Sequence, residues 1–82
     1  MSYRSKYVIL DQTVTVGIVF SDYINHSEMA QVIGGKVIGA GFCFIEDNRY
    51  VCYGESTSLK VKSRPEEDAQ ILNKYLGTVH EN

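Results

Sequence analysis

Residues 36–46 read K-V-I-G-A-G-F-C-F-I-E, an apolar run with a charged residue only at each end. Ile38, Ala40, Phe42 and Phe44 alternate onto one side, and Val37, Gly39, Gly41, Cys43 and Ile45 onto the other. A strand that is apolar on both sides belongs in the middle of a sheet covered above and below, because a wet face would forfeit its hydrophobic gain. Gly39 and Gly41 weaken the strand and mark a bulge or the close approach of another backbone. Asp47 and Asn48 follow, two residues that tolerate positive φ, and residues 49–53 then run back. A two-residue loop places Glu46 opposite Arg49, Phe44 opposite Val51, Cys43 opposite Cys52 and Phe42 opposite Tyr53. Cross-strand pairs of this kind contribute about 0.2–1 kcal/mol each.

Working toward the N-terminus, residues 34 and 35 are a glycine doublet, and before it Met29, Val32 and Ile33 recur at helical spacing behind Asn25 and Glu28, a capping-box pattern. This predicts one short helix that Gly34 ends in the left-handed conformation. Residues 6–10 are β-branched and aromatic, Asp11-Gln12 interrupts, and from residue 13 to 20 Val14, Val16, Ile18 and Phe20 alternate with Thr13, Thr15 and Gly17. That is an antiparallel hairpin of half-buried strands.

Toward the C-terminus, residues 58–62 alternate through Leu59 and Val61 as a short edge strand, with lysines that discourage further pairing. Ser63 and Glu66 form a capping box around Pro65, Glu66, Glu67 and Asp68 sit at the positive end of a helix, and Lys74 sits at its negative end. Ala69, Ile71, Leu72, Tyr75 and Leu76 are its apolar stripe, Gly77 is its stop, and the chain beyond frays. The expectation is a single α+β domain over residues 1–82: an antiparallel sheet of four or five strands with two helices, in the order ββαββ(β)α. Both helices are expected on one sheet face, which leaves the other to be covered by a second copy in a homodimer.

The chain has 82 residues, 8 Lys plus Arg against 10 Asp plus Glu, and a net charge of −2. At this length folding buries roughly 60% of the unfolded surface, so stability is marginal. The charge balance argues against a nucleic-acid binder, whose affinity comes from clustered Lys and Arg; Lys60, Lys62 and Arg64 are followed at once by Glu66, Glu67 and Asp68. There is no apolar run of membrane-spanning length and no apolar stretch of a secretory leader, so the expected location is cytoplasmic. Cys43 and Cys52 have no CxxC spacing, which leaves reduced, packed thiols and no metal or other cofactor. Of six tyrosines, Tyr7, Tyr23 and Tyr50 are interface candidates, since a tyrosine buries area and keeps a polar tip.

Two resemblances follow from these residues. Gly54-Glu55-Ser56-Thr57-Ser58-Leu59 followed by Ser63-Arg64-Pro65-Glu66 resembles a segment of small proteins of phage and other mobile elements, a family with no assigned activity. It implies a genomic setting and transfers no catalytic residue; the expected dimer and tyrosine-bearing surface point to an accessory role through contact with a protein partner. Lys6-Tyr7-Val8, His26 before a helix, and Tyr53-Gly54-Glu55-Ser56 are similar to the Janus/Ocnus family of phosphohistidine phosphatases. That resemblance implies phosphate held by Lys6 and Ser56 and catalysis by His26. The chain departs from the family in its shorter length, its truncated first helix, and Phe42 where the family carries an arginine. Independently of either family, Glu55, Ser56, Ser58 and Arg64 bracket the expected edge strand and form a candidate anion-binding group beside the N-terminal amides of the last helix.

Overall fold

The computed structural model describes residues 4–80, with side chains through Lys74. Eight elements follow one another: β1 Ser5–Asp11, β2 Thr15–Ser21, α1 His26–Ile33, β3 Lys36–Glu46, β4 Arg49–Tyr53, β5 Glu55–Ser56, β6 Val61–Lys62 and α2 Pro65–His80. The fold class is α+β, with a four-stranded antiparallel sheet in the order β2-β1-β3-β4 and a two-stranded sheet of β5 and β6. None of the described helices is long and apolar enough to cross a membrane.

The β3–β4 hairpin has the expected register. Asp47 and Asn48 take φ of 53° and 62°, and Glu46, Phe44, Cys43 and Phe42 face Arg49, Val51, Cys52 and Tyr53. Beyond β4 the single expected edge strand is replaced by two short ones, because Lys60 turns the chain at φ 57° and Glu55 and Ser56 pair back onto Lys62 and Val61. The β1–β3 ladder slips by one residue between Ile9 and Leu10: Ile9 faces Gly39 and Leu10 faces Val37, so Ile38 is the extra residue of a bulge. The slip exchanges the sides of Val37 and Ile38 relative to strict alternation. Val37 packs against the cluster of Val8, Leu10, Phe20 and Ala40, and Ile38 against that of Tyr7, Ile9, Cys43, Cys52 and Leu72.

Those two clusters are the two faces of the sheet, and they correct the expected layering. Met29 of α1, with Leu59 and Val61 from the β5–β6 region, covers one face; Ala69, Ile71 and Leu72 of α2 cover the other. The helices therefore lie on opposite faces and the chain roofs both itself. An uncovered face was the premise of the homodimer, and that premise is absent. α2 also runs through Gly77 to His80, past its expected stop; the side chains of Tyr75 and Leu76 and the residues beyond 80 lie outside those described.

α2 is anchored by a buried polar group. Asp68 has no exposure and accepts from the Tyr7 hydroxyl (2.6 Å), the Arg64 backbone N–H (2.9 Å), and Arg64 Nε (3.0 Å) and Nη2 (2.8 Å). Ser63 Oγ lies 2.7 Å from the Tyr7 oxygen, so the cap expected from Ser63 and Glu66 gives way to one made by Asp68. Tyr7 is thus a core residue with no exposure and not an interface residue; burial first and its bond to Asp68 second push its hydroxyl pKa up. Gly39 makes room for this carboxylate, since a Cβ there would lie 2.5 Å from Asp68 Oδ2. Gly39→Ala should destabilise the fold by about 1–3 kcal/mol, the usual cost of overpacking, read as a lower urea midpoint with an unchanged slope.

The outer edge of β4 is closed by the same helix. Asn73 Oδ1 accepts the Tyr50 N–H at 2.6 Å and its Nδ2 donates to the Tyr50 carbonyl at 3.2 Å. Tyr50, one of the interface candidates, is half-buried against α2, where burial raises its hydroxyl pKa. Asn73→Ala would lose two bonds worth about 0.5–1.5 kcal/mol each and bare a strand edge able to pair with another chain. The expected result is a lower melting temperature with aggregates detected by light scattering on heating.

Candidate functional site

At the start of α1 a cavity of about 190 Å³ is lined by Lys6, Asn25, His26, Phe42, Glu55, Thr57 and Ser58. β1 supplies Lys6 and β3 supplies Phe42, its direct cross-strand partner. α1 and its cap supply Asn25 and His26, and the short β5 and the turn after it supply the rest.

His26 is the first residue of α1 and is buried. Its ring stands edge-on between Phe20 and Phe42, with centroids at 5.7 and 5.8 Å, so its orientation is fixed on two sides. Nε2 lies 2.8 Å from the Gly41 carbonyl oxygen. A carbonyl can only accept, so Nε2 carries the proton. Burial lowers the pKa of His26, and nearby Lys6 lowers it further against the opposing pull of the Gly41 bond, which keeps the ring neutral at physiological pH. The lone pair is then on Nδ1. Among the described residues no fully buried side-chain nitrogen or oxygen lacks a partner, and the His26 ring makes only the Gly41 bond, so Nδ1 is not fully enclosed, in a residue that lines the cavity.

Gly41 makes this geometry possible. A Cβ at that position would lie 2.5 Å from the Tyr53 carbonyl oxygen, because the chain leaving β4 crosses close to β3 there, and that crossing brings residues 55–58 to His26. The Lys6 ammonium donates to the Ile24 carbonyl at 3.0 Å, which holds its charge near the α1 N-terminus. Asn25 and Glu28 bond each other (2.9 Å) and do not make the expected cap to the backbone, so the first amides of α1 have no side-chain acceptor. The partial positive charge of that helix end adds to Lys6.

Of the residues expected to do chemistry, the structure gathers Lys6, His26, Glu55 and Ser58 on one cavity. Ser56 adjoins it but is buried, with its hydroxyl accepting the Leu59 N–H at 3.2 Å and lying 3.4 Å from Ser58 Oγ. The hydroxyl residues on the lining are therefore Thr57 and Ser58. Arg64 is absent from the group because its guanidinium is committed to Asp68 and Glu67. Thr57, Asn25 and Phe42 were missed as lining residues by sequence reasoning; Phe42 had entered only as the position where the Janus/Ocnus family carries an arginine. Cys43 and Cys52 are free, buried and opposed, and burial pushes their thiols up to about 12 and about 11, which leaves them protonated and poor nucleophiles. No group of three or more His, Cys, Asp or Glu that could hold a metal occurs among the described residues.

Comparison of the chain with protein-family models, with curated proteins and with solved structures finds no match.

Proposed function

We propose that the cavity at the α1 N-terminus binds a phosphoryl group and that the protein hydrolyses phosphorus–nitrogen bonds, with His26 as the phosphoryl acceptor. The observation that carries this reading is the fixed His26 tautomer: a neutral ring with its proton on Nε2 and its lone pair on Nδ1, in a residue that lines the cavity. A nucleophilic imidazole needs all three conditions. Lys6 and the α1 N-terminus offset charge on the phosphoryl oxygens, and the Thr57 and Ser58 hydroxyls donate to them. The similarity of Lys6-Tyr7-Val8, His26 and Tyr53-Gly54-Glu55-Ser56 to the Janus/Ocnus phosphatases also points to Lys6 and His26, but to the buried Ser56 where the cavity lining has Thr57 and Ser58.

In this reaction the Nδ1 lone pair attacks phosphorus and the bond from phosphorus to the substrate nitrogen breaks, that nitrogen taking a proton from water. Water then attacks the phosphoryl-imidazole, releases orthophosphate and returns His26 to its neutral form. The sum is one water consumed per amine and orthophosphate formed. Phosphoramidate is the simplest probe. Purified protein should release orthophosphate from it, followed by phosphorus NMR, well above the uncatalysed rate; a rate equal to the buffer blank contradicts the reading.

A second reading, an accessory role through contact with a protein partner or second copy, is favoured by a separate observation. Tyr23 is 95% exposed in the turn before α1, and Val32 of α1 is 80% exposed. With both sheet faces covered, such a contact would use this outer surface. Light scattering at micromolar concentration reads a dimer directly, and a monomeric mass that is unchanged by a partner-containing extract counts against this role.

A further inference from the structure

The charges lining the cavity do not suffice for a phosphoryl dianion. Lys6 contributes one positive charge and Glu55 one negative, His26 is neutral, and a helix N-terminus adds only about half a positive charge. A further cation stands beside the cavity wall. Arg4 precedes β1, two residues before Lys6 and by strand alternation on the same face, and its guanidinium carbon lies 4.3 Å from the centroid of the Phe42 ring. Phe42 is the cross-strand partner of Lys6 and a wall of the cavity. A guanidinium held over a ring face by cation–π attraction keeps N–H donors for other partners, and Arg4 Nη2 faces Asp22. Among the described residues its one ionic partner is Asp22, at 3.6 Å, with both side chains partly exposed (53% and 34%). An exposed pair at that distance is worth under about 1 kcal/mol, so a bound dianion can draw the donors away.

We propose that Arg4, held on the Phe42 ring, is the second cation of the phosphoryl site, and that Asp22 is its resting counter-ion when the site is empty. This rests on the phosphoryl-binding reading of the cavity and names a binding residue in it, on a segment distant in sequence from His26.

Titration with inorganic phosphate at low ionic strength, followed by the backbone amide shifts of Lys6, His26 and Ser58, tests it. Arg4→Gln should raise the phosphate Kd by about tenfold, the range of one charge-assisted hydrogen bond, and Arg4→Lys should recover part of the loss. Asp22→Asn should lower the Kd several-fold, because the competing carboxylate is gone. A purely structural ion pair would not produce that gain, and this variant decides the matter even if Arg4→Gln folds poorly. Unchanged Kd in Arg4→Gln and Asp22→Asn, with weakened binding in Lys6→Gln, overturns the role of Arg4 and leaves the cavity reading standing. If phosphate shifts no cavity residue of the unaltered protein, both fail.

Discussion

Replacing His26 with alanine should reduce phosphoramidate hydrolysis at least a thousandfold while the chain remains folded. Loss of a nucleophile removes the covalent route entirely, and loss of a general acid or base alone costs about 10²–10⁴ in rate. The side chain is packed between two aromatic rings, so a stability loss accompanies the substitution; His26→Asn keeps a polar group able to donate to the Gly41 carbonyl and separates folding from chemistry. The unaltered enzyme should also show a characteristic pH profile. Since the reactive form is the neutral ring and burial lowers its pKa, activity should persist as pH falls through the ordinary histidine value of 6.5, with the acid limb below it. An acid limb at or above 6.5 would mean that a different group is titrating.

Removing the Asp68 carboxylate should have the largest effect on stability. Asp68→Ala strips acceptors from the Tyr7 hydroxyl, the Arg64 backbone and the Arg64 guanidinium at once. Breaking a buried charged pair by removing one partner costs about 3–5 kcal/mol, and a whole domain is stable by only about 5–15 kcal/mol. The expected result is a chain largely unfolded at physiological temperature. Tyr7→Phe, which removes only the donor to Asp68, should cost about 1–2 kcal/mol. A chemical-denaturation series in which Asp68→Ala costs no more than Tyr7→Phe would show that the Arg64 bonds contribute nothing.

The contrast between the β3–β4 hairpin and the layering shows what the sequence makes legible. The hairpin register depends on neighbours in sequence: Asp47 and Asn48 set the turn, and every pair up to Phe42 and Tyr53 follows by counting. The side of the sheet taken by each helix depends on partners far apart. Asp68 reaches Tyr7 across 61 residues and needs the space at Gly39, while one extra residue at Ile38 switches which side chains meet which helix. Local pattern contains neither fact, which is why Tyr7 read as a surface tyrosine. The site divides in the same way. Lys6, His26, Glu55 and Ser58 are recognisable by residue type and place, whereas the Ser56 hydroxyl and the Arg64 guanidinium are taken up by short-range bonds, to Leu59 and to Asp68, that residue type alone does not announce. The tautomer of His26 was equally invisible, since it follows from a carbonyl 15 residues away.

The most direct measurement is phosphorus NMR of the protein mixed with phosphoramidate and quenched in alkali, where phosphohistidine survives, followed by peptide mapping of the labelled residue. The account predicts a phosphoryl group on Nδ1 of His26 that disappears as orthophosphate accumulates. Turnover with no label on His26, or a label on Nε2 against the Gly41 bond, would contradict it.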